Sequence, residues 1–261
     1  MSAPQTLALD FDGVLCDGLL EYFETAWRAY CQMFNGELTP PPAGLADRFY
    51  PLRPVVESGW EMPLVLRALL RGVADAEILT NWSGMVSTLL AETGLQAGEW
   101  AAAVDGVRDS WMQTDLDGWL GLHRFYPGVI ERLGQVTAAG VRTIIISTKE
   151  GRFIQQLLDR QGVRLAPEQI LGKEVQRPKY ETLRQLSQAG AGPIWFVEDR
   201  LQALQGVRRQ EDLGHIQLFL AEWGYNTSGD RSLARQTPAF HSLSLDQFAG
   251  PFSGWLPFPN P

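Results

Sequence analysis

The chain is 261 residues long, with 45% hydrophobic and 20% charged residues and a formal net charge of −8. This balance suits one large or two ordinary globular domains and excludes intrinsic disorder, while the acidic excess argues against a face built for a nucleic-acid backbone. The two cysteines, Cys16 and Cys31, are too few for a disulfide framework or a four-cysteine zinc site.

In chain order, the first element is the apolar run Leu7–Phe11, too short for a helix and read as a buried strand. No basic segment followed by a long apolar run precedes it, so no secretory leader is expected. No run of ~18 apolar residues predicts a membrane span, and a cytoplasmic protein without a membrane partner is expected. Residues 18–122 then show helical periodicity, as in Leu19–Phe34, Pro63–Ala74, Ser83–Glu92 and Gly98–Met112, interrupted by the breaker-rich Thr39–Gly44. Beyond them, strand-like runs at Val141–Ile146, Pro193–Val197 and Ile216–Leu220 alternate with helical patterns at Gly128–Ala139, Arg152–Gln161, Lys179–Ala189 and Leu201–Glu211. That alternation predicts an α/β domain with a parallel sheet, formed by residues 1–17 with 123–261 and interrupted by an inserted helical domain at 18–122. The Pro-rich Pro257–Pro261 reads as a frayed tail.

Ligands of such sheets bind beyond the carboxyl ends of the strands. Asp10 and Asp12 follow the first run, Ser147 and Thr148 the second, and Glu198 and Asp199 the third. Four acids gathered there repel one another unless a cation joins them, and all-oxygen ligands favour Mg²⁺ completed by waters and a phosphate group. The substrate expected from this reasoning is a small phosphorylated metabolite.

Asp10-Phe11-Asp12-Gly13-Val14-Leu15-Cys16-Asp17 resembles the first signature of the haloacid dehalogenase (HAD) superfamily. Val141 to Lys149, a strand ending in Ser147-Thr148, is similar to the second, and Phe196-Val197-Glu198-Asp199-Arg200 resembles the acidic fourth. Tyr126-Pro127-Gly128-Val129 is similar to the segment before the second signature in the phosphoglycolate-phosphatase-like branch, which carries a helical cap where residues 18–122 are inserted. The resemblance implies a Rossmann-like HAD core with a helical cap, and a Mg²⁺-dependent phosphatase working through an aspartyl-phosphate. It implies that Asp10 is the nucleophile and Asp12 the acid and base, while Ser147 donates to the phosphoryl group. The metal set it implies is Asp10, the Asp12 carbonyl and Asp199, with Glu198 beside them. An acid at Asp12, absent from the superfamily's dehalogenases and phosphonatases, points to transfer of a phosphoryl group from oxygen. The third signature departs from its usual Lys-Pro: Arg177-Pro178 stands there, followed by Lys179. Lys179 is favoured as the phosphate-binding cation, with Lys173 and Arg177 as the alternatives. A hexose-phosphate mutase shares these motifs, and a non-catalytic phosphate- or partner-binding protein is the reading from another class. A monomer or homodimer is expected.

Simpler readings compete. Asp12-Gly13 could form an ordinary turn, and Ser147-Thr148 and Glu198-Asp199 could cap the helices that follow. Asp17 reads as a cap. Six of the nine tryptophans, Trp27, Trp60, Trp82, Trp100, Trp111 and Trp119, lie in the insertion, where core filling is a simpler account than a substrate pocket. Arg48, Arg53, Trp60 and Glu61 fall in a stretch read as irregular and are candidates for specificity. His123, His215 and His241 lack metal-ligand spacing and are assigned to structure or surface.

Overall fold

The structure is a computed structural model that describes residues 3–34 and 36–256. The expected tail Pro257–Pro261 lies outside the described residues. The chain divides into two compact units, residues 1–17 with 124–261, and residues 18–123. No helix among the described residues is long and apolar enough to cross a membrane.

The first unit is built on a six-stranded sheet. Its strands are β1 (Thr6–Leu9), β4 (Arg142–Ile146), β5 (Ile170–Leu171), β6 (Ile194–Glu198), β7 (Gln217–Ala221) and β8 (Phe240–Leu243). They lie in the order β5-β4-β1-β6-β7-β8, every pair parallel, with Leu9 beside Ile145 on one side and Val197 on the other. A two-residue antiparallel pair, β2 (Cys16–Asp17) with β3 (Arg124–Phe125), closes the two points where the chain leaves and re-enters this unit.

Period-two alternation sends side chains to two buried faces. Ala8, Ile144, Phe196 and Leu218 pack with Leu183, Leu204 and Val207 from the connecting helices. On the other face, Trp195 packs against Phe219 at 5.0 Å and Trp255 at 5.7 Å, joined by Phe248. Burial on both faces explains why the central strands read as continuous apolar runs. The sequence reading overlooked β5, which is only two residues long, and β8, where His241 and Ser242 break the apolar run at the sheet edge. It also missed the helix Ser228–Gln236, whose sequence carries few apolar residues; there Thr227 accepts from the Asp230 N–H in a capping box.

Among the described residues the second unit is helical, with principal helices Leu19–Phe34, Met62–Leu70, Asp75–Thr93 and Ala97–Leu120. The last two are kinked at Asn81 and Asp115, close to where their apolar periodicity fades in the sequence. At the second kink, Asp115 accepts from the Gly118 N–H and so starts a new helical segment. Trp27, Trp82, Trp100 and Trp119 are buried in this unit, which favours the core-filling account.

The stretch read as irregular is instead a run of short helical turns, Leu45–Phe49, Tyr50–Val55 and Gly59–Glu61. Arg48 pairs with Asp75 at 2.6 Å, and Arg53 donates to the Val56 carbonyl. Glu61 accepts from the Ser58 N–H and from Trp82 Nε1. Glu21 is fully buried, and Arg108 meets it with two hydrogen bonds of 2.8 and 3.1 Å.

Phe196 lies on a central strand and is fully buried. Replacing Phe196 with Ala should destabilise the fold by about 3–5 kcal/mol, the cost of lost transfer energy plus a residual cavity, read from the midpoint of denaturant unfolding.

Candidate active site

β1 lies between β4 and β6, so the loops leaving the carboxyl ends of these three strands are neighbours. The first loop folds tightly on itself. Leu15 and Cys16 both donate their N–H to the Phe11 carbonyl, and Gly13 N–H reaches the Cys16 carbonyl. Phe11 is fully buried beneath the turn, while the side chains of Asp10 and Asp12 are 9% and 12% exposed. Gly13 has φ +85, a conformation L side chains rarely adopt, and a Cβ there would stand 2.1 Å from Asp199 Oδ2. The glycine therefore lets the β1 loop close against the acidic pair after β6.

Asp10 Oδ1 accepts from the Phe11 N–H at 2.7 Å, and Asp10 Oδ2 faces Lys179 Nζ at 2.8 Å. The same ammonium reaches Glu198 Oε2 at 2.6 Å. Glu198 also accepts the Arg200 N–H through Oε1. Asp199 accepts the Tyr225 N–H at 2.7 Å, and its carbonyl accepts from Asn226 Nδ2. Ligand oxygens of Asp10, Glu198 and Asp199 lie within 4.8 Å of one another, all three residues buried. Ser147 is buried at the end of β4, and its Oγ accepts the Lys149 N–H at 3.3 Å.

The electrostatics follow from this crowding. Burial, with Glu198 and Asp12 nearby, raises the Asp10 pKa to about 6 against the pull of Lys179. Glu198 is also raised, first by burial and then by Asp199, although Lys179 opposes both. Burial disfavours the Lys179 ammonium, but the carboxylates of Asp10 and Glu198 outweigh it and keep the lysine protonated. Cys16 is raised by burial and by Asp12, so its thiol stays protonated and is a poor nucleophile.

Of the three cations considered for the third signature, Lys179 at the start of the helix Lys179–Gln188 is the one brought to Asp10. Lys173 and Arg177 are exposed, and Arg177 Nε donates to Thr182 Oγ1. The helix-capping accounts of the other motifs fare poorly. The helix after Ser147-Thr148 starts beyond Glu150 without a side-chain cap, and the one after Glu198-Asp199 starts beyond Arg200 likewise. Asp17 belongs to β2 and accepts from Tyr225 Oη at 2.9 Å. The three histidines have structural partners, His123 on the Trp119 carbonyl, His215 on Ser187 and His241 on Gln217.

Two features escaped the sequence reading. Lys149 is buried and sends Nζ to within 3.3 Å of Asp12 Oδ1. Its place two residues beyond Ser147 was the available signal. The other is Trp223-Gly224-Tyr225-Asn226 after β7, which wraps the β1 loop: Trp223 Nε1 donates to the Val14 carbonyl, and Gly224 packs against Asp199. Here the signal was a glycine between aromatics at the carboxyl end of a predicted strand.

No protein-family model matches the sequence, and no curated protein matches it. Solved structures do. A predicted phosphoglycolate phosphatase from Haemophilus somnus 129PT is 16% identical, with a TM-score of 0.61 over 95% of this chain and 96% of that one. A predicted phosphatase from Clostridium acetobutylicum is 13% identical, with a TM-score of 0.59 over 95% and 97%. A haloacid dehalogenase-like family hydrolase from Streptococcus pneumoniae is 15% identical, with a TM-score of 0.57 over 93% and 95%. At such low identity the likeness speaks for architecture. The chain has the haloacid dehalogenase fold, a Rossmann-like α/β core with a helical insertion after the first strand.

A Cβ on Gly224 would lie 2.3 Å from both the Asp199 Cβ and the Gly13 carbonyl oxygen. Gly224→Ala should therefore push the β7 loop away from Asp199 and the β1 turn. The expected readout is faster amide exchange at Gly13 and Tyr225, with little change at the β1–β4 ladder.

Proposed function

We propose that the protein is a Mg²⁺-dependent phosphatase that hydrolyses a small phosphomonoester through an aspartyl-phosphate at Asp10. The observation that carries this reading is the placement of two carboxylates two residues apart on one turn, each with its own lysine: Lys179 on Asp10 and the buried Lys149 on Asp12. A protein that only bound phosphate would need neither a nucleophile nor an acid, and crowding anions at its site would weaken binding.

The donor set fits a divalent cation. Asp10, Asp12, Glu198 and Asp199 bring four carboxylates to a place where two lysines answer them. Asp10 and Asp199, with the Asp12 carbonyl, would hold the ion. Glu198 has one oxygen on Lys179 and the other on the Arg200 N–H, so we assign it to anchoring the lysine. When bound, Mg²⁺ offsets charge on the phosphoryl oxygens.

The chain's own groups then divide the reaction. An Asp10 carboxylate oxygen attacks phosphorus and the bond from phosphorus to the ester oxygen breaks. The leaving oxygen takes a proton from the Asp12 carboxyl. A water then attacks the phosphoryl group and gives its proton back to Asp12; the bond between Asp10 and phosphorus breaks, releasing phosphate. Lys179 at a helix N-terminus and the Ser147 hydroxyl stabilise the phosphoryl oxygens through charge and hydrogen bonding.

Asp10→Asn should abolish phosphate release from a panel of sugar phosphates, phosphoglycolate, phosphoserine and nucleotides assayed with Mg²⁺. The amide keeps the volume but is a far weaker nucleophile. Turnover near that of the wild type would overturn the mechanism.

The metal assignment has a readout that needs no turnover. A carboxyl whose folded pKa is raised favours the folded state fully below its ordinary value of 3.8, and this contribution is lost as pH rises through about 6. A divalent cation competes with that proton. Mg²⁺ should therefore raise the melting temperature over that in chelator more at pH 7.5 than at pH 5, with a scale of about 2.7 kcal/mol at a hundredfold excess over Kd. Asp10→Asn should flatten the difference, and no Mg²⁺ effect at pH 7.5 would remove the metal from the reading.

A further inference from the structure

We propose that Lys149 is the positioning residue for the proton-transfer group. Its ammonium holds Asp12 by Oδ1, so that Oδ2 is the oxygen that exchanges the proton with the ester oxygen and then with water. The inference rests on the phosphatase reading and adds to it a residue with a separate task from Lys179.

Burying a lysine stem and its charge is costly unless the ammonium meets an anion. The Lys149 side chain is 6% exposed, and its Nζ stands 3.3 Å from Asp12 Oδ1. The loop that carries it is fixed independently of that side chain. Its N–H donates to Ser147 Oγ at 3.3 Å, and its carbonyl accepts the Lys173 N–H at 2.9 Å. Gly172 packs so closely that a Cβ there would come within 2.7 Å of the same carbonyl. The backbone is therefore held on both sides, and the stem is aimed at Asp12. Lys179, at the start of the helix at residue 179, meets Asp10 and Glu198 instead. Each catalytic carboxylate thus has its own lysine.

An ammonium offers only donors, so the carboxyl oxygen that faces it acts as an acceptor and the transferable proton sits on the other oxygen. In the first step, Asp10 bonds to phosphorus, the ester P–O bond breaks, and the Asp12 Oδ2 proton passes to the departing oxygen. In the second, water bonds to phosphorus, its proton passes to Asp12 Oδ2, and the acyl-phosphate P–O bond breaks to restore the Asp10 carboxylate. Without Lys149 the Asp12 carboxyl loses this anchor and this proton is misdirected. The damage depends on how much the leaving oxygen needs the proton: an alkoxide needs it fully, a nitrophenolate hardly at all.

The test measures kcat/KM, which stops at the first irreversible step and so reports formation of the aspartyl-phosphate. The substrates are p-nitrophenyl phosphate, phenyl phosphate and an alkyl phosphate, at saturating Mg²⁺. The proteins are full-length wild type, Lys149→Met, Lys149→Arg, Lys179→Met, Asp12→Ala and the Lys149→Met/Asp12→Ala double variant. For Lys149→Met, the alkyl ester should lose about ten- to a hundredfold more than the nitrophenyl ester, up to the lower limit of about a hundredfold for a positioned general acid, because the acid itself is kept. Lys149→Arg, which keeps a donor and its charge, should recover part of the alkyl rate. Lys179→Met should fall on all three esters alike. Adding Lys149→Met to Asp12→Ala should change the leaving-group dependence little, because the two act as one unit. A uniform fall for Lys149→Met, with raised KM, would overturn the proposal and make Lys149 a phosphate anchor. Should Lys149→Met fail to fold, Lys149→Arg decides: a loss there that is equal on all three esters would also overturn it. A wild type inert toward every ester would overturn the phosphatase reading and this inference together, whereas an active wild type with a uniform Lys149 effect removes only the inference.

Discussion

The site depends on one electrostatic constraint: anionic groups are crowded at the carboxyl ends of adjacent strands and must be compensated without help from bulk water. Asp10, Glu198 and Asp199 are buried within 4.8 Å of one another, and Lys179 bridges two of them. Without such a cation, burial alone would drive these carboxyls to their neutral forms. The rise of Asp10 toward about 6 shows that Lys179 only partly succeeds. What remains is a place that favours positive charge.

That constraint accounts for much of the local architecture. Gly13 and Gly224 exist where the β1 turn, the β6 acids and the β7 loop press together without room for a side chain. Tyr225 and Asn226 supply hydrogen bonds that hold Asp199 at its carboxylate and its carbonyl. Glu198, fully buried, divides its two oxygens between Lys179 and the Arg200 N–H. The sheet beneath, buried on both faces, provides a rigid platform on which such fixed distances survive.

The helical unit follows different physics. Its polar hubs, Glu21 with Arg108 and Glu61 with Trp82, are satisfied within the unit, as is the pair of Arg48 with Asp75. Charged and aromatic residues in a breaker-rich stretch resemble a binding loop in one dimension. Folded, several of them are caps, pairs and core, because short helical turns leave backbone donors that nearby side chains must satisfy.

The sequence by itself determined the α/β core, its insertion after the first strand, and the acids and hydroxyls at the strand ends. Those follow from periodicity, from short β-branched runs and from residues adjacent in the chain, all local signals. It also narrowed the cation to Lys179, Lys173 or Arg177 and favoured Lys179, although all three occupy one loop and helix start. Only the tertiary structure decided that Lys179 meets Asp10 and Glu198, that Lys149 meets Asp12 across 137 positions of sequence, and that the Trp223–Asn226 segment braces Asp199. These partners are set by strand order, and parallel strands joined by crossovers place distant residues side by side for reasons no local pattern records.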